Sequence, residues 1–126
     1  MGYDLMFEKA KDASSINFPC EYGEFELEPN SFPWTELKKK LLEMGAKENP
    51  GPDSLILEVP NRGTIHITGS NKYANLDMHA DWSVVKDLFE WIRFLDPNVV
   101  LADTNEGVYY DPISFDAFAR ECGVDS

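Results

Sequence analysis

Basic side chains are scarce in this chain of 126 residues: 11 Lys and Arg stand against 23 Asp and Glu, for a formal net charge of -12 at pH 7. Proteins bind nucleic acids and anionic membranes by neutralising phosphates with Lys and Arg. The shortage therefore argues against a nucleic-acid partner and against a membrane partner. Because self-repulsion of this size costs compactness, the excess of acid suggests a basic protein partner.

Long apolar runs are lacking as well. None approaches the roughly 20 residues that span a bilayer. Residues 1–12 place acidic residues inside a short apolar stretch and have no basic leader, unlike a signal peptide. Gly2 follows Met1, but Met6 occupies the position where an N-myristoylation signal has Ser or Thr. The sequence therefore predicts a cytoplasmic protein.

Cysteine is rare: Cys20 and Cys122 lie far apart in the chain and form no Cys-x-x-Cys pair. In a cytoplasmic chain this predicts two buried or half-buried thiols rather than a disulfide or a metal pair. The motifs G-x-S-x-G, G-x-G-x-x-G, G-K-[ST] and H-E-x-x-H are also absent. Their absence favours a non-enzymatic protein, and we predict no catalytic, cofactor-binding or metal-binding residue.

Apolar residues are present in the amount that a folded globule needs, at 43% hydrophobic and 13% aromatic. Several runs alternate apolar and polar residues with the period of two that is typical of a half-buried strand. Tight turns separate most neighbouring runs, which predicts antiparallel pairing. The predicted strands are Tyr3–Phe7, Gly23–Glu28, Leu55–Val59, Gly63–Thr68, Tyr73–Ala80, Val99–Ala102 and Val108–Tyr110.

Three segments have the apolar spacing of amphipathic helices. The first opens at Ser31 and Pro33 and has an inward stripe of Trp34, Leu37, Leu41 and Leu42. The second is capped by Asp81 or Ser83 and has a stripe of Val84, Val85, Leu88, Phe89, Trp91, Ile92 and Leu95. The third is capped by Ser114, ends at Gly123 and points inward with Phe115, Phe118, Ala119 and Cys122. The sequence predicts a single α+β domain over residues 1–126, a mainly antiparallel sheet with two or three helices packed on it.

The acidic excess is uneven along the chain. Residues 1–30 hold seven acids and two bases, residues 31–95 nine acids and eight bases, and residues 96–126 seven acids and one base. Chain ends of single domains often lie close together, so the two acidic ends are expected to form one negative face.

One predicted strand carries much of that acid. Glu24, Glu26 and Glu28 would project in a row at about 7 Å spacing, with Glu21 just before them. A basic partner would relieve their repulsion; alternatively, charges on an edge strand protect against aggregation. Aromatic residues near acids are typical interface anchors. The candidate partner-binding residues are Glu21, Glu24, Glu26, Glu28, Asp103, Glu106, Tyr109, Tyr110 and Asp111.

The predicted strand pairing determines which side chains lie close to each of the two histidines. If Ser70 and Asn71 form the turn, His66 lies opposite Asn75, and His79 is about 13 Å away, too far to share a zinc ion. Asp77 would then be a diagonal neighbour of His66, within reach as an acid–base pair. This arrangement leaves two alternatives: a routine polar contact, or the site of a small enzyme.

A calcium loop is a further candidate, because Asp103-Thr-Asn105-Glu-Gly107 is similar to the start of one. The full pattern needs Gly at the sixth position and Glu at the twelfth, whereas Gly107 is fifth and Ser114 is twelfth. A hairpin turn is the better interpretation.

Three segments resemble small acidic bacterial immunity proteins, which neutralise a cognate toxin. They are the opening Gly2–Phe7 strand, the Trp82–Leu95 helix and the ending with Tyr110-Asp111-Pro112 and Phe115. The resemblance implies one tight toxin partner, often a nuclease with a positively charged active site, and it transfers no catalytic residue. An immunity protein is therefore the first hypothesis. The alternatives are a small enzyme that uses His66 and Asp77, and an oligomerising structural or regulatory protein.

Overall fold

The computed structural model describes residues 3–49 and 51–121, and over these residues eight strands form one antiparallel sheet. The strands are β1 (Tyr3–Lys9), β2 (Cys20–Glu21), β3 (Lys47–Glu48), β4 (Ser54–Val59), β5 (Gly63–Gly69), β6 (Tyr73–Ala80), β7 (Val99–Asp103) and β8 (Val108–Tyr110). Their order in the sheet is β2-β8-β7-β1-β6-β5-β4-β3. The helices are α1 (Trp34–Glu43), α2 (Trp82–Leu95) and α3 (Pro112–Glu121). The predicted α+β class is confirmed.

The main core lies between the three helices and one face of the sheet. Side chains of alternate strand residues point into it, since successive residues of a strand face opposite sides. Fully buried examples are Leu5 and Phe7 on β1, and Ile65 and Ile67 on β5. Burying each such side chain contributes roughly 1.5–3 kcal/mol. Phe89 of α2 meets Phe7 at 5.6 Å between ring centroids, which ties the longest helix to the central strands.

The opposite face of the sheet, which we call the outer face, is only partly covered. Residues 10–28, the covering segment, pack a second apolar cluster over β7, β8 and part of β1. The cluster combines strand residues with residues of this segment: Val100, Ala102, Tyr109, Met6, Ala10, Ala13, Ile16, Phe18, Phe25 and Leu27. No residue of β4, β5 or β6 belongs to this cluster. The residues that the structure describes therefore cover only one half of the outer face.

The predicted strand Gly23–Glu28 is wrong. These residues form turns and bends, and only Leu27 makes an isolated bridge, to Ala10. Their alternation has another cause: Phe25 and Leu27 pack onto the second cluster from the covering segment. Glu24, Glu26 and Glu28 consequently do not project as a row along a strand.

The three predicted helices are present at the predicted positions, but some of their inward residues and capping residues differ from the prediction. In α1, Leu42 is 41% exposed, whereas Phe32, just before the helix, is buried. In α2, Asp81 is the cap, because its carboxylate accepts from the Ser83 amide at 2.8 Å. In α3, the Asp111 carboxylate accepts from the Ser114 amide, so Ser114 lies in the first turn and is not the first cap. Cys122 and Gly123 lie outside the described residues.

Within the described ranges, no helix combines the length and the apolar character needed to cross a membrane.

Candidate functional site

Basic side chains lie mainly with the helices, where many of them are paired. Five of the seven ion pairs among residues 3–49 and 51–121 involve a helix residue or Asp96, which ends α2. These pairs are Lys9–Asp96, Lys38–Glu48, Arg62–Asp87, Lys86–Asp116 and Arg120–Asp116. The other two join Lys11 to Glu26 in the covering segment and His79 to Asp77 on β6.

One row of acidic residues, by contrast, follows one end of the sheet. Asp77 of β6 is directly opposite Asp4 of β1, and both point to the outer face because Leu5 and Leu76 point into the core. Glu58 of β4 lies at the same end, opposite Thr64. Both Asp4 and Glu58 are exposed, and the Asp77 side chain is 47% exposed.

The same end continues to the edge of the sheet. Next to Asp4 lies the turn between β7 and β8, where the Thr104 hydroxyl donates to the Asp4 carbonyl at 3.1 Å. This turn contains Glu106, which is exposed, and β8 pairs Val108 with the exposed Glu21 of β2. We call these five residues the acidic band: Glu58, Asp77, Asp4, Glu106 and Glu21.

The acidic band brings together segments from both acidic ends of the chain. The Tyr22 amide donates to the Gly107 carbonyl at 3.0 Å, which holds the covering segment against the β7–β8 turn. Glu24 follows in the covering segment, is exposed, and accepts from the Cys20 thiol at 3.8 Å. Glu21, Glu24 and Glu106 thus share one edge, as the charge distribution predicts, and none of them has an ion pair within the described part of the chain.

Other predicted partner-binding residues are less available. Glu26 is engaged with Lys11 at 2.6 Å, which lowers the pKa of the Glu26 carboxyl, and Glu28 is half-buried. Asp111 is half-buried and caps α3. These three are correspondingly weaker candidates for contact with a partner than the exposed acids of the band.

Asp103, Tyr109 and Tyr110 are buried, so in this structure they support the edge from within. Asp103 is fully buried, and its carboxylate accepts from the Tyr3 hydroxyl at 2.6 Å and from the Asn105 amide at 3.0 Å. Burial and the neighbouring Asp103 raise the pKa of Tyr3. The sequence gives no sign of this burial, since Asp103 occurs among residues typical of an exposed turn.

Tyr109 lies on the outer face, beneath the covering segment. Its hydroxyl donates to the Glu8 carboxylate at 3.0 Å, and its ring is 4.6 Å from that of Tyr22. Burial, with the nearby Glu8 carboxylate, raises the pKa of Tyr109, and burial also raises the pKa of Glu8. Tyr22, which is 44% exposed, is the aromatic side chain that this edge presents to solvent.

The histidine register differs from the prediction. The Ser70 amide donates to the Tyr73 carbonyl, so Asn71 and Lys72 form the tip of the turn and the pairing moves by two residues. His66 therefore lies directly opposite Asp77, not Asn75, and the His66 and His79 rings are 6.5 Å apart, much closer than predicted.

In this register, the carboxylate of Asp77 contacts His79 rather than His66, at 3.2 Å from the His79 imidazole Nε2. Both partners remain substantially exposed, at 44% and 47% of their side-chain surface. Among the described residues, no group of three or more His, Cys, Asp or Glu side chains is placed to hold a metal ion.

Two remaining features offer little chemistry. Cys20 is buried, and burial together with Glu24 raises the pKa of its thiol, which disfavours the nucleophilic thiolate. A cavity of about 370 Å³ lies between α2 and α3, but its charged side chains pair with each other: Asp116 binds both Lys86 and Arg120. The Ser83 hydroxyl in its wall donates to the Asp81 carboxylate at 2.7 Å, and that carboxylate also caps α2.

Sequence reasoning missed Asp4 and Glu58 as members of the site. The available signal was their outward position in alternating strands, but their neighbours across the sheet depend on strand order. No protein-family model, curated protein or solved structure matches the chain.

Proposed function

We propose that this chain is a non-enzymatic binding protein of the cytoplasm, which uses its acidic band to mask a basic surface of a partner protein. The observation that carries the proposal is the uneven placement of charge: five of the six ion pairs that involve Lys or Arg lie on the helix side, whereas Asp4, Glu58, Glu106 and Glu21 are exposed without such a pair. Exposed, unneutralised acids of this kind accelerate and orient encounter with a basic protein.

The nature of the partner follows from the resemblance to small acidic immunity proteins. We infer that the partner is a toxin, with a positively charged active site that the acidic band occludes. Such a role needs no catalytic residue and no cofactor in this chain. It requires tight binding, which in turn requires that apolar contacts accompany the charges, because charge complementarity contributes more to encounter rate and specificity than to affinity.

The experiment is to express the chain together with the product of the gene adjacent to its own. We expect the adjacent product to arrest growth when expressed alone, and co-expression to restore growth and to give a complex that co-purifies. A variant in which Glu21, Glu24 and Glu106 are changed to Lys should lose both effects. Unchanged growth arrest on co-expression with the wild-type chain, with no complex, would overturn the proposal.

The two alternatives predict different results. If the chain were an enzyme that used His66 and Asp77, His66→Ala would abolish turnover and leave partner binding nearly intact. If it were an oligomerising structural or regulatory protein, size-exclusion chromatography of the pure chain would show a multiple of its 14.3 kDa mass. We expect neither outcome.

A further inference from the structure

We propose that the partner docks on the half of the outer sheet face that the covering segment leaves bare, with Arg or Lys side chains seated between Asp4, Asp77 and Glu58. We call this the bare face; it consists of the outward side of β4, β5 and β6 together with Asp4 of β1. The inference rests on the proposed function, and it names the surface by which the chain recognises its basic partner.

Coverage of the sheet is the first argument. The three helices bury one face, and the covering segment buries the β7–β8 half of the other. What is left is a largely polar surface four strands wide, with Ile56, Thr64 and Asn75 half-buried and His66 exposed. At standard strand spacing and rise its area is roughly 450 Å². In a standard interface each partner contributes about 800 Å² of surface. The bare face supplies about half of that area, and the remaining residues of the acidic band, Glu106 and Glu21, extend it.

Charge complementarity is the second argument, and it decides the occupant. The outward residues of β1, β4, β5 and β6 include Asp4, Asp77 and Glu58 and no Lys or Arg. Among the described residues, the bases nearest to this surface lie at its rim: Lys47 on β3, Lys72 at the β5–β6 turn, and Arg62 at the β4–β5 turn, which pairs with Asp87 of α2. Asp4 and Asp77 stand directly opposite each other, and a guanidinium between them would bond to both carboxylates.

The two histidines of the bare face both lie beside Asp77. His66 is directly opposite Asp77, and the His79 imidazole contacts the Asp77 carboxylate at 3.2 Å.

The test uses a hexa-arginine peptide as the probe, titrated into the ¹⁵N-labelled full chain at low salt and followed by amide chemical shifts. We expect saturable shifts that are largest at Asp4, His66 and Asp77. The double variant Asp4→Asn, Asp77→Asn should weaken binding about tenfold, whereas Glu43→Gln, Glu90→Gln, which removes the same charge on the helix side, should stay within about twofold.

The outcomes separate the two proposals. If the largest shifts map to β2 and the β7–β8 turn, and Asp4→Asn, Asp77→Asn binds within about twofold of wild type, the bare face is wrong while the proposed function stands. If no part of the chain shows saturable binding, both proposals fall.

Discussion

Asp4 and Asp77 lie directly opposite each other on neighbouring antiparallel strands, with their carboxylates on the same outer face of the sheet. Like charges in this position destabilise a sheet by about 0.2–1 kcal/mol. The Asp77 carboxylate has a histidine contact, and Asp4 has no ion pair within residues 3–49 and 51–121. This opposed pair lies on an uncovered surface, and a cation bound between the two carboxylates would relieve their repulsion.

The first prediction concerns the free energy of unfolding of the isolated chain. Asp4→Asn removes one charge of the opposed pair without changing the size of the side chain. We expect the variant to be more stable than wild type by about 0.2–1 kcal/mol in urea unfolding at pH 7, and the gain to shrink at about 1 M salt. Glu43→Gln, which removes the same charge on an exposed helix position, serves as the control and should change stability by less than about 0.5 kcal/mol.

The second prediction concerns Glu8, whose carboxyl is partly buried on the outer face and accepts from Tyr109. Burial raises its pKa in the folded chain, so the folded state binds the proton more tightly than the unfolded state. Stability from this group is present at low pH and is lost as the pH rises through the folded pKa.

Glu8→Gln should therefore stabilise the chain at pH 7, where wild type carries the charge, by less than about 1 kcal/mol after solvent screening. The gain should vanish near pH 3, well below the unfolded pKa of about 4.3, where Glu8 is protonated in both states. Urea unfolding at the two pH values measures both effects. A loss of stability at pH 7 would mean that the hydrogen bond from Tyr109 outweighs the burial of charge.

The third prediction concerns the start of α2. Asp81 caps this helix through the Ser83 amide and hydroxyl, and these hydrogen bonds lower its pKa in the folded chain. Its stabilisation is therefore present above the unfolded pKa, about 3.9, and is lost as the pH falls through the folded pKa.

Asp81→Ala should cost about 0.5–2 kcal/mol at pH 7, and the difference from wild type should shrink below about pH 3.5. Asp81→Asn keeps an oxygen that caps the helix, so it should retain most of the stability at pH 7. Thermal unfolding monitored by circular dichroism measures all three proteins. An Asn variant as unstable as the Ala variant would argue against the cap.

The fourth prediction compares two phenylalanines of α2. Phe89 is fully buried against Phe7 and Phe115, whereas Phe94 is 93% exposed. Phe89→Ala should cost about 3–5 kcal/mol, because it removes buried area and leaves a cavity. Phe94→Ala should stay within about 0.5 kcal/mol of wild type. Similar losses at both positions would show that Phe94 is buried in solution.

Much of the fold follows from local pattern. The long strands and α2 were predictable because their apolar residues repeat with the period of the element that buries them. The two-residue strands β2 and β3 were not, since two residues show no period. Gly23–Glu28 misled for a related reason: Phe25 and Leu27 are half-buried against the second cluster, which produces the alternation of a strand, although the segment forms only the isolated bridge between Leu27 and Ala10.

The candidate site depends on the position of one turn and on the order of the strands, which the local sequence pattern does not determine. The β5–β6 turn has four consecutive polar or glycine residues from Gly69, and a shift of its tip by one position moved His66 from Asn75 to Asp77. The Asp4–Asp77 pair depends on β1 inserting between β7 and β6, which is a long-range arrangement. The acidic character of the chain was predictable from its composition. Which acidic residues lie together on the sheet became clear only from the strand order.

The central claim is that acids of the bare face bind a basic partner. Its most direct test is the affinity of the chain for the product of the adjacent gene, measured by isothermal titration calorimetry with two variants of equal charge. We predict that Asp4→Asn, Asp77→Asn weakens binding about tenfold, with less effect at high salt, and that Glu43→Gln, Glu90→Gln on the helix side stays within about twofold of wild type. Equal affinities for the two variants would contradict the claim.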